Sequence, residues 1–336
     1  MTSTPADIPS SLQDLLPKWA HFCLYVGRFV EEELGVDLEG RRVLVGFSGG
    51  VDSTALLMVL HYLSKRANFT VGAVHLDHCL RSESAGDASF ARSLCETLGI
   101  ECVVESRDVA RVAETRGIGC EEAGREARYR LYADLLRSRD YDYVALGHQL
   151  DDLSEDVLMR LIRGTGWPGL SGMTGYDPKR ALIRPLLLIP KSTLAAFVTQ
   201  LGIRWREDHS NTDSSMTRNR VRNEILPLIE RENPNFWQSV ARLWRIGRVE
   251  QDFWSNLENE ACEILDNARL EGLHKAQRLH LYKACLDRLG SGQALADTLF
   301  KLDEAWQEHR NNAVFQFPGD KTATVTVSGV VFSAKD

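Results

Sequence analysis

Apolar residues in the first part of the chain fall into short β-branched runs separated by stretches with helical spacing. The runs lie between turn-forming residues and cover Arg42–Phe47, Thr70–Leu76, Glu101–Glu105, Tyr143–Gly147 and Ala181–Leu187. Strands that alternate with helices are typical of βαβ units, in which the strands pair in parallel. The pattern therefore predicts an α/β fold built on a parallel sheet.

The pattern changes to long helices after Asn219. Aromatic and aliphatic residues at helical spacing, which are typical of a core, cover Phe236–Ile264, Gly272–Leu289 and Leu295–His309. Two apolar runs around a Pro-Gly-Asp-Lys turn, Ala313–Phe317 and Thr322–Phe332, predict a terminal β-hairpin. We therefore expect a second, smaller and mainly helical domain.

These patterns divide the chain into three parts. The predicted parts are a helical N-terminal extension over residues 1–40, an α/β domain over 41–215 and a mainly helical domain over 216–336. Within the extension, Trp19–Leu34 reads as an amphipathic helix that packs on the sheet.

Composition indicates a water-soluble protein. The 336 residues are 43% hydrophobic and 26% charged, and no apolar run approaches the ~20 residues of a membrane span. Residues 1–14 lack a cationic start followed by an apolar stretch, so we expect a cytoplasmic protein. The seven cysteines include no C-x-x-C pair, which disfavours zinc ribbons and sulfur transfer through paired cysteines.

Charge is unevenly distributed along the chain. The net charge is −7, yet residues 177–248 hold 13 Lys or Arg against 7 Asp or Glu. Such a stretch could neutralise RNA phosphates. The alternative is a helical surface that is merely basic.

The turn Ser48-Gly49-Gly50-Val51-Asp52-Ser53 joins the first predicted strand to a helix. Glycines let phosphate oxygens approach the backbone, and a helix N-terminus favours an anion. A Walker loop needs a lysine where this chain has Asp52, and an acid there suits a metal ion that holds pyrophosphate. The turn therefore predicts an ATP site without ordinary kinase chemistry; the alternative is a glycine-rich turn with no ligand.

Polar side chains also follow the second and fourth strands. The second ends in His75-Leu76-Asp77-His78, with Arg81 close behind, and period-two geometry places His75 and Asp77 on one face and His78 on the other. The fourth ends in a cluster that suits Mg²⁺ or a cationic substrate, namely His148, Asp151, Asp152 and Glu155. The alternatives are a polar loop and a helix cap formed by one of the aspartates.

Two further stretches carry arginines. One is a helix with Glu122, Arg125 and Arg128 on neighbouring turns, which ion pairing along the helix would also explain. The other runs from Asp208 to Arg222, where Arg218 and Arg222 could hold RNA phosphates or the tail of ATP.

In order and spacing these strings resemble the tRNA(Ile)-lysidine synthetase family of the PP-loop ATP pyrophosphatases, over residues of about 40 to 230. The resemblance implies a Rossmann-like PP-loop domain, similar to the adenine nucleotide alpha hydrolases, followed by a tRNA-binding helical domain. It implies a C–N ligase that uses ATP and Mg²⁺ to adenylate C2 of the wobble cytidine in the CAU anticodon of tRNA(Ile). Free L-lysine then displaces AMP through its ε-amine. A homodimer is also favoured by the resemblance.

The resemblance implies roles for single residues. The nucleotide and its pyrophosphate would be bound by Ser48, Gly49, Gly50, Asp52, Ser53, His75, Asp77 and Arg81. Catalysis would depend on Asp52, His148, Asp151, Asp152 and Glu155, with Asp52 and Asp151 as metal ligands. The tRNA or its phosphates would contact Glu122, Arg125, Arg128, Arg163, Arg218 and Arg222. One acid would take a proton from the lysine ammonium, and the sequence leaves open which one.

The chain departs from the family's usual H-H-x-D-D-Q-A-E-T string after the fourth strand. Gln149 replaces the second histidine, and Leu153, Ser154 and Asp156 replace Gln, Ala and Thr. One rival interpretation is a PP-loop enzyme that adenylates another tRNA base or a small metabolite, although a metabolite enzyme would not need a basic second half. A second is a non-catalytic tRNA-binding homologue, which the clustered acids disfavour.

Overall fold

The computed structural model describes residues 8–79, 84–206 and 217–334. Two compact units divide the chain, residues 1–244 and 245–336. None of the described helices is both long and apolar enough to cross a membrane.

The first unit is built on a six-stranded sheet. Its strands are β1 (Arg42–Gly46), β2 (Thr70–Asp77), β3 (Glu101–Ser106), β4 (Tyr143–Ala145), β5 (Tyr176–Asp177) and β6 (Leu182–Ile183). They lie in the order β3-β2-β1-β4-β6-β5. All neighbours pair in parallel except β5, which is antiparallel to β6. The predicted α/β fold with a parallel sheet is confirmed.

The strand order places the site. The chain moves outward from β1 through β2 to β3 and then crosses to β4 on the other side of β1. Open parallel sheets bind ligands at such a switch, beyond the carboxyl ends of the strands. The glycine-rich turn follows β1, and the His148 cluster follows β4.

Helices cover this sheet and link its strands. They are α1 (Pro17–Arg28), α2 (Val51–Ala67), α3 (Ser84–Leu98), α4 (Val109–Arg116), α5 (Cys120–Ser138), α6 (Leu150–Ile162), α7 (Lys191–Gln200), α8 (Thr217–Arg220), α9 (Leu226–Glu232) and α10 (Phe236–Glu258). Turns of π-helix, Phe29–Glu33 and Val221–Ile225, continue α1 and α8. The helix predicted within Trp19–Leu34 does pack on the sheet unit, since Trp19, Phe29 and Leu34 belong to its core.

The fifth predicted strand is much shorter than its apolar run. Only Leu182–Ile183 pairs with β4, out of the predicted Ala181–Leu187. Pro185 has no N–H to offer a ladder, and the chain turns there, with Leu187 N donating to Arg184 O at 3.2 Å. Leu186 and Leu187 are buried in the core although they lie outside any strand. A pattern of apolar residues in one sequence does not distinguish such a buried turn from a strand.

The helices after residue 217 pack with the sheet unit as far as Trp244. Val240 and Trp244 belong to the sheet unit's core, and Trp244 Nε1 donates to Met173 O at 2.9 Å. The compact units therefore divide inside α10, whereas the predicted boundary near residue 215 lies outside the described residues. The change in pattern that suggested this boundary is a change from strands to helices. Of these helices, α10 still packs apolar residues into the core of the sheet unit.

The second unit combines helices with a small antiparallel sheet. After the end of α10 come β7 (Ile264–Asp266), α11 (Asn267–Glu271), α12 (Lys275–Arg288), α13 (Ala296–Gln307), β8 (Val314–Phe317), β9 (Lys321–Thr326) and β10 (Gly329–Ala334). The sheet order is β7-β10-β9-β8. The predicted hairpin is present as β8 and β9, but a turn at Val327–Ser328 divides its second run into two strands. Three-residue β7, which joins the sheet at β10, has no pattern long enough to predict it.

Buried charges in the second unit have polar partners. Arg278 donates from Nε and Nη2 to the Asp303 carboxylate at 2.7 and 3.0 Å. Lys321 is fully buried, and its ammonium donates to the carbonyls of Gly290 and Gly292 at 3.3 and 2.6 Å. Because a buried charge without partners is costly, these contacts explain how the small core contains an arginine and a lysine.

Candidate active site

A cavity of about 410 Å³ opens at the carboxyl ends of β1, β2 and β4. Its polar lining comes from the residues after each of these strands, from α3 and from α5, and comprises Ser48, Asp52, Ser53, His75, Asp77, His78, Asp87, Arg128, Tyr132 and His148. Predicted residues from four separate stretches therefore meet at one place, as the switch in strand order requires.

Hydrogen bonds within the turn hold the glycine-rich loop in shape. Ser53 Oγ donates to Gly50 O at 3.0 Å and accepts from Ser48 N at 3.2 Å. The hydroxyl groups of Ser48 and Ser53 lie 3.1 Å apart, and Gly50 N donates to Ser48 Oγ at 3.4 Å. The helix α2 begins at Val51 directly after the loop. Both serines therefore shape the loop, and their predicted contact with pyrophosphate stays a prediction.

Two glycines, one in the loop and one after β4, allow a conformation and a close contact that a side chain would hinder. Gly49 has a φ of +85°, in the left-handed region that favours glycine. At Gly147, after β4, a Cβ would stand 3.1 Å from backbone atoms of Asp52 and Ser53. The absence of that Cβ brings the end of β4 against the first turn of α2, which places the His148 cluster beside the loop.

Asp52 carries a buried carboxylate oxygen without a polar neighbour. Within the described part of the chain, its Oδ1 is inaccessible and has no hydrogen-bond partner. Burial raises the pKa of Asp52 to about 6; the Lys191 ammonium opposes this shift, while the carboxylates of Asp152 and Asp151 add to it. A buried carboxylate oxygen that has no hydrogen-bond partner, on an acid whose pKa is raised by burial, is expected to bind a cation.

Asp151 lies in the same acidic environment at the start of α6. Its Oδ2 accepts a hydrogen bond from Lys191 N at 3.0 Å. Burial raises its pKa, the bond from Lys191 lowers it, and the Asp152 charge raises it further. Asp151 and Asp52 are thus two acids whose charges are unfavourable without a cation.

The neighbouring acid Asp152 helps to start the helix. Gln149 is the N-cap residue, and its Oε1 accepts from Asp151 N at 2.5 Å. In return Asp152 Oδ2 accepts from Gln149 N at 3.3 Å. Asp152 therefore has the helix-capping role that was predicted as an alternative for one of the aspartates. Gln149, which departs from the family string, provides the other half of this capping box.

Glu155 lies one turn further along α6 and joins two arginines. Its side chain is 1% exposed. Arg218 Nε donates to its Oε2 at 2.7 Å, and Arg222 Nε donates to its Oε1 at 2.5 Å. Both arginines also approach Asp152 Oδ1, at 3.2 and 3.4 Å. These contacts tie the helical segment after residue 217 to α6; the predicted role of Glu155 towards metal or lysine, and of both arginines towards tRNA, stays a prediction.

His148 is held as a neutral ring. Arg184, which is itself buried, donates from Nε to His148 Nδ1 at 3.2 Å. Burial, followed by the Arg184 charge, lowers the pKa of His148 to about 3. Because Nδ1 accepts this bond, the proton of the neutral ring is on Nε2. His148 can therefore donate a hydrogen bond at neutral pH but is a weak proton acceptor.

The residues at the end of β2 reach the cavity as predicted, with one difference. His75 Nδ1 lies 2.9 Å from Phe47 O, so it carries the proton and donates. Asp77 Oδ1 accepts from Cys79 N at 2.8 Å. His78 was predicted on the opposite face, yet it lines the same cavity, because β2 ends at Asp77 and the alternation of faces ends with it. Arg81 lies outside the described residues.

Four of the residues predicted to contact tRNA occupy different places. Arg128 lines the cavity, and Arg125 stacks on Tyr129, with its guanidinium carbon 4.8 Å from the ring centroid. Glu122 and Arg163 are exposed and are not among the residues that line the cavity. The structure therefore brings only Arg128 of these four to the cavity, and a tRNA role for the others stays a prediction.

Two lining residues were missed by the sequence analysis. Tyr132 lies four positions after Arg128 in α5, so helical periodicity could have placed both on one face. Asp87 reaches the cavity from the first turn of α3. No motif surrounds Asp87, and its position depends on how α3 packs against the loop.

The donors present fit Mg²⁺. In residues 8–79, 84–206 and 217–334, no group of three or more His, Cys, Asp or Glu side chains is arranged to hold a metal ion by itself. Mg²⁺ usually takes one or two carboxylates and completes its shell with phosphate oxygens and water. Asp52, with its unpartnered oxygen, and Asp151, whose charge raises the pKa of Asp52, supply such carboxylates, although Asp151 is not among the residues that line the cavity.

Comparison with known proteins agrees with this architecture. The model of the PP-loop domain family matches residues 26–229, and together with the strand order and the loop after β1 it defines a PP-loop protein. The chain is 44% identical to the tRNA(Ile)-lysidine synthase of Nitratidesulfovibrio vulgaris over 327 residues, which cover 90% of this chain and 94% of that relative. It therefore belongs to the tRNA(Ile)-lysidine synthase family.

Other relatives match over a shorter range. The tRNA(Ile)-lysidine synthase of Geobacillus kaustophilus is 36% identical over 246 residues, 72% of this chain and 52% of that relative. Among solved structures, the U34-tRNA thiolase NcsA from Methanococcus maripaludis with its [4Fe-4S] cluster has a TM-score of 0.54 at 20% identity. The match covers 72% of this chain and 82% of that one, and at this identity it shows the fold alone.

Proposed function

We propose that the protein is a tRNA(Ile)-lysidine synthetase. In this reaction ATP adenylates the C2 oxygen of the wobble cytidine in a CAU anticodon, pyrophosphate leaves, and the ε-amine of free L-lysine displaces AMP. The observation that carries the proposal is the unpartnered, buried oxygen of Asp52 in a cavity that the glycine-rich loop borders. Membership of the family supports the identity of the base and of the amine.

The loop and the neighbouring acids would bind the nucleotide. Backbone N–H groups of the loop and the N-terminus of α2 favour the phosphates. Asp52 and Asp151 would hold Mg²⁺, which when bound stabilises negative charge on the leaving pyrophosphate. His75 and Asp77 would border the nucleotide from the end of β2.

Attack by lysine requires removal of a proton from its ammonium group. Asp152 and Glu155 are engaged by Arg218 and Arg222, and His148 is a weak base. Asp151 would be a ligand of Mg²⁺, which lowers the basicity of a carboxylate, so none of these groups is assigned as the proton acceptor. His148 would contribute through its Nε2 proton, as a hydrogen-bond donor to substrate.

The tRNA would approach the cavity from the side of α5. Arg128 lines the cavity there, and the basic stretch of residues 177–248 supplies further charge for phosphates. A cytidine that reacts at C2 has to leave the anticodon stack. We further propose a cytoplasmic location and a homodimer, as the family resemblance favours.

The proposal predicts the products of ATP cleavage. Purified protein with Mg²⁺, ATP labelled at the α- and γ-phosphates, L-lysine and CAU-anticodon tRNA(Ile) should release AMP and pyrophosphate in amounts that depend on the tRNA. Release of ADP and phosphate would contradict adenylation. Cleavage that needs no tRNA would favour a metabolite as the substrate.

A further inference from the structure

Arg206 contacts the glycine-rich loop from outside the motif. Its backbone N–H donates to Gly49 O at 2.9 Å. Its side chain also lies over the loop, since Arg206 Cγ is 3.6 Å from the position that a Cβ of Gly49 would take. The hydrogen bond holds the backbone of Arg206 against the glycine-rich loop, so its side chain starts beside the proposed phosphate site.

The guanidinium of Arg206 is held by an acid of the cavity wall. Arg206 Nε lies 3.0 Å from Asp87 Oδ1, and Asp87 lines the cavity from α3. The two side chains are 48% and 34% exposed. An ion pair that is open to water in this way is weak, so another anion can replace the Asp87 carboxylate on the guanidinium at little cost.

The charge of the cavity lining is unfavourable for a polyphosphate. Of the described residues that line it, Asp52, Asp77 and Asp87 are acids, and the guanidinium of Arg128 is the one Lys or Arg group. A nucleoside triphosphate brings several further negative charges. Because Arg206 is a cation at the rim of this lining, it can offset charge there, and its planar fork matches phosphate oxygens.

We propose that Arg206 is a positioning residue for the triphosphate, and that Asp87 holds its guanidinium until the nucleotide replaces that carboxylate. The proposal rests on the proposed use of ATP. On nucleotide binding the Arg206–Asp87 pair breaks and an Arg206–phosphate pair forms. No covalent bond changes, and the loop contact between Arg206 N and Gly49 O is kept.

This exchange makes opposite predictions for the two partners. Arg206→Ala removes a phosphate contact, so it should weaken nucleotide binding roughly tenfold. Asp87→Asn removes the competing carboxylate and should strengthen binding by about two- to fivefold. If the pair only fixed α3 against the loop, both substitutions would weaken binding alike.

The test is the dissociation constant of a non-hydrolysable ATP analogue with Mg²⁺, measured by calorimetry on the full-length protein. Arg206→Lys should recover part of the affinity lost in Arg206→Ala, since the cation is kept without the fork. Arg137→Ala and Asp134→Asn are matched controls, because they break an exposed pair at 2.7 Å in α5 that is outside the cavity lining. Thermal unfolding of each variant identifies any loss of fold.

The outcomes separate this proposal from the proposed function. Folded Arg206→Ala with wild-type affinity, or Asp87→Asn with weakened affinity, would overturn the role of Arg206 and leave ATP use intact. A wild-type protein that binds no nucleotide would overturn both. Opposite shifts in the two variants, with unchanged controls, would support the exchange.

Discussion

Asp52 combines poor solvation with a position at the centre of the site. Its Oδ1 is buried without a partner among the described residues, and burial raises its pKa to about 6. The folded protein therefore holds the ionised carboxylate less well than water does. Such an arrangement lowers the stability of the free protein and raises its affinity for a cation.

Asp52→Asn should stabilise the protein and strongly reduce adenylation. Because the pKa of this acid is higher in the folded state, ionisation costs stability as pH rises from about 4 to 6, and the full cost is present above that range. We expect a gain of about 1–3 kcal/mol in the free energy of unfolding at pH 8 and a smaller gain at pH 5. Denaturant unfolding of both proteins at the two pH values measures this.

Pyrophosphate release by Asp52→Asn should fall by about a hundredfold or more. Asp134→Asn, an exposed aspartate in α5, serves as the control and should change neither stability nor its pH dependence. A gain that is equal at pH 5 and pH 8 would show that the carboxylate of Asp52 is not desolvated.

Glu155 differs from Asp52 because its charge is already compensated. It is buried between Arg218 and Arg222. Glu155→Gln therefore leaves the two guanidinium groups to share the carboxylate of Asp152 alone. We expect a loss of about 2–4 kcal/mol in unfolding free energy, since removing one partner of a buried pair is costly. Chemical denaturation followed by tryptophan fluorescence measures this loss.

The control for Glu155 lies on the same helix. Asp156→Asn breaks a more exposed pair with Arg160, at 2.8 Å, and should cost about 1 kcal/mol or less. If Glu155→Gln keeps wild-type stability but forms no product, the carboxylate acts in the chemistry instead of in holding the segment after residue 217.

At the scale of elements, hydrophobic periodicity predicted most strands of the sheet unit and the helical stretches between them. It could do so because apolar runs in this part of the sequence are clearly separated by turn-forming residues. It overestimated β6, since Leu186 and Leu187 are buried outside any strand. It also treated the sequence after residue 215 as a separate domain. An apolar helical face shows that a helix packs but does not show on what, and α10 illustrates this by placing Val240 and Trp244 in the sheet unit's core.

Trp244→Ala tests where the sheet unit ends. Trp244 is 1% exposed and its ring lies 5.9 Å from that of Phe29, so its truncation should destabilise the sheet unit by about 3–5 kcal/mol. Phe253→Ala, at a position of α10 that is 61% exposed, should change stability by less than about 0.5 kcal/mol. Calorimetric unfolding measures both. An unfolding transition unchanged by Trp244→Ala would place the end of the unit before α10.

At the scale of the whole molecule, the sequence predicted that the motifs after β1, β2 and β4 meet, because parallel strands end together at one edge of the sheet, and residues from all three line one cavity. Side chains brought in by packing, such as Asp87 and Arg206, have no motif and needed the structure. Packing also separated acids that look alike in sequence, since Asp52 and Asp151 are desolvated whereas Glu155 is bridged by arginines.

The central claim is that this site joins lysine to a tRNA base with the energy of ATP. The most direct test incubates the protein with Mg²⁺, ATP, isotope-labelled L-lysine and CAU-anticodon tRNA(Ile), and analyses the digested tRNA by mass spectrometry. The account predicts one labelled lysine on the wobble cytidine and none when Asp52→Ala replaces the wild type. Pyrophosphate release without a lysine adduct, or with an adduct at another base, would contradict it.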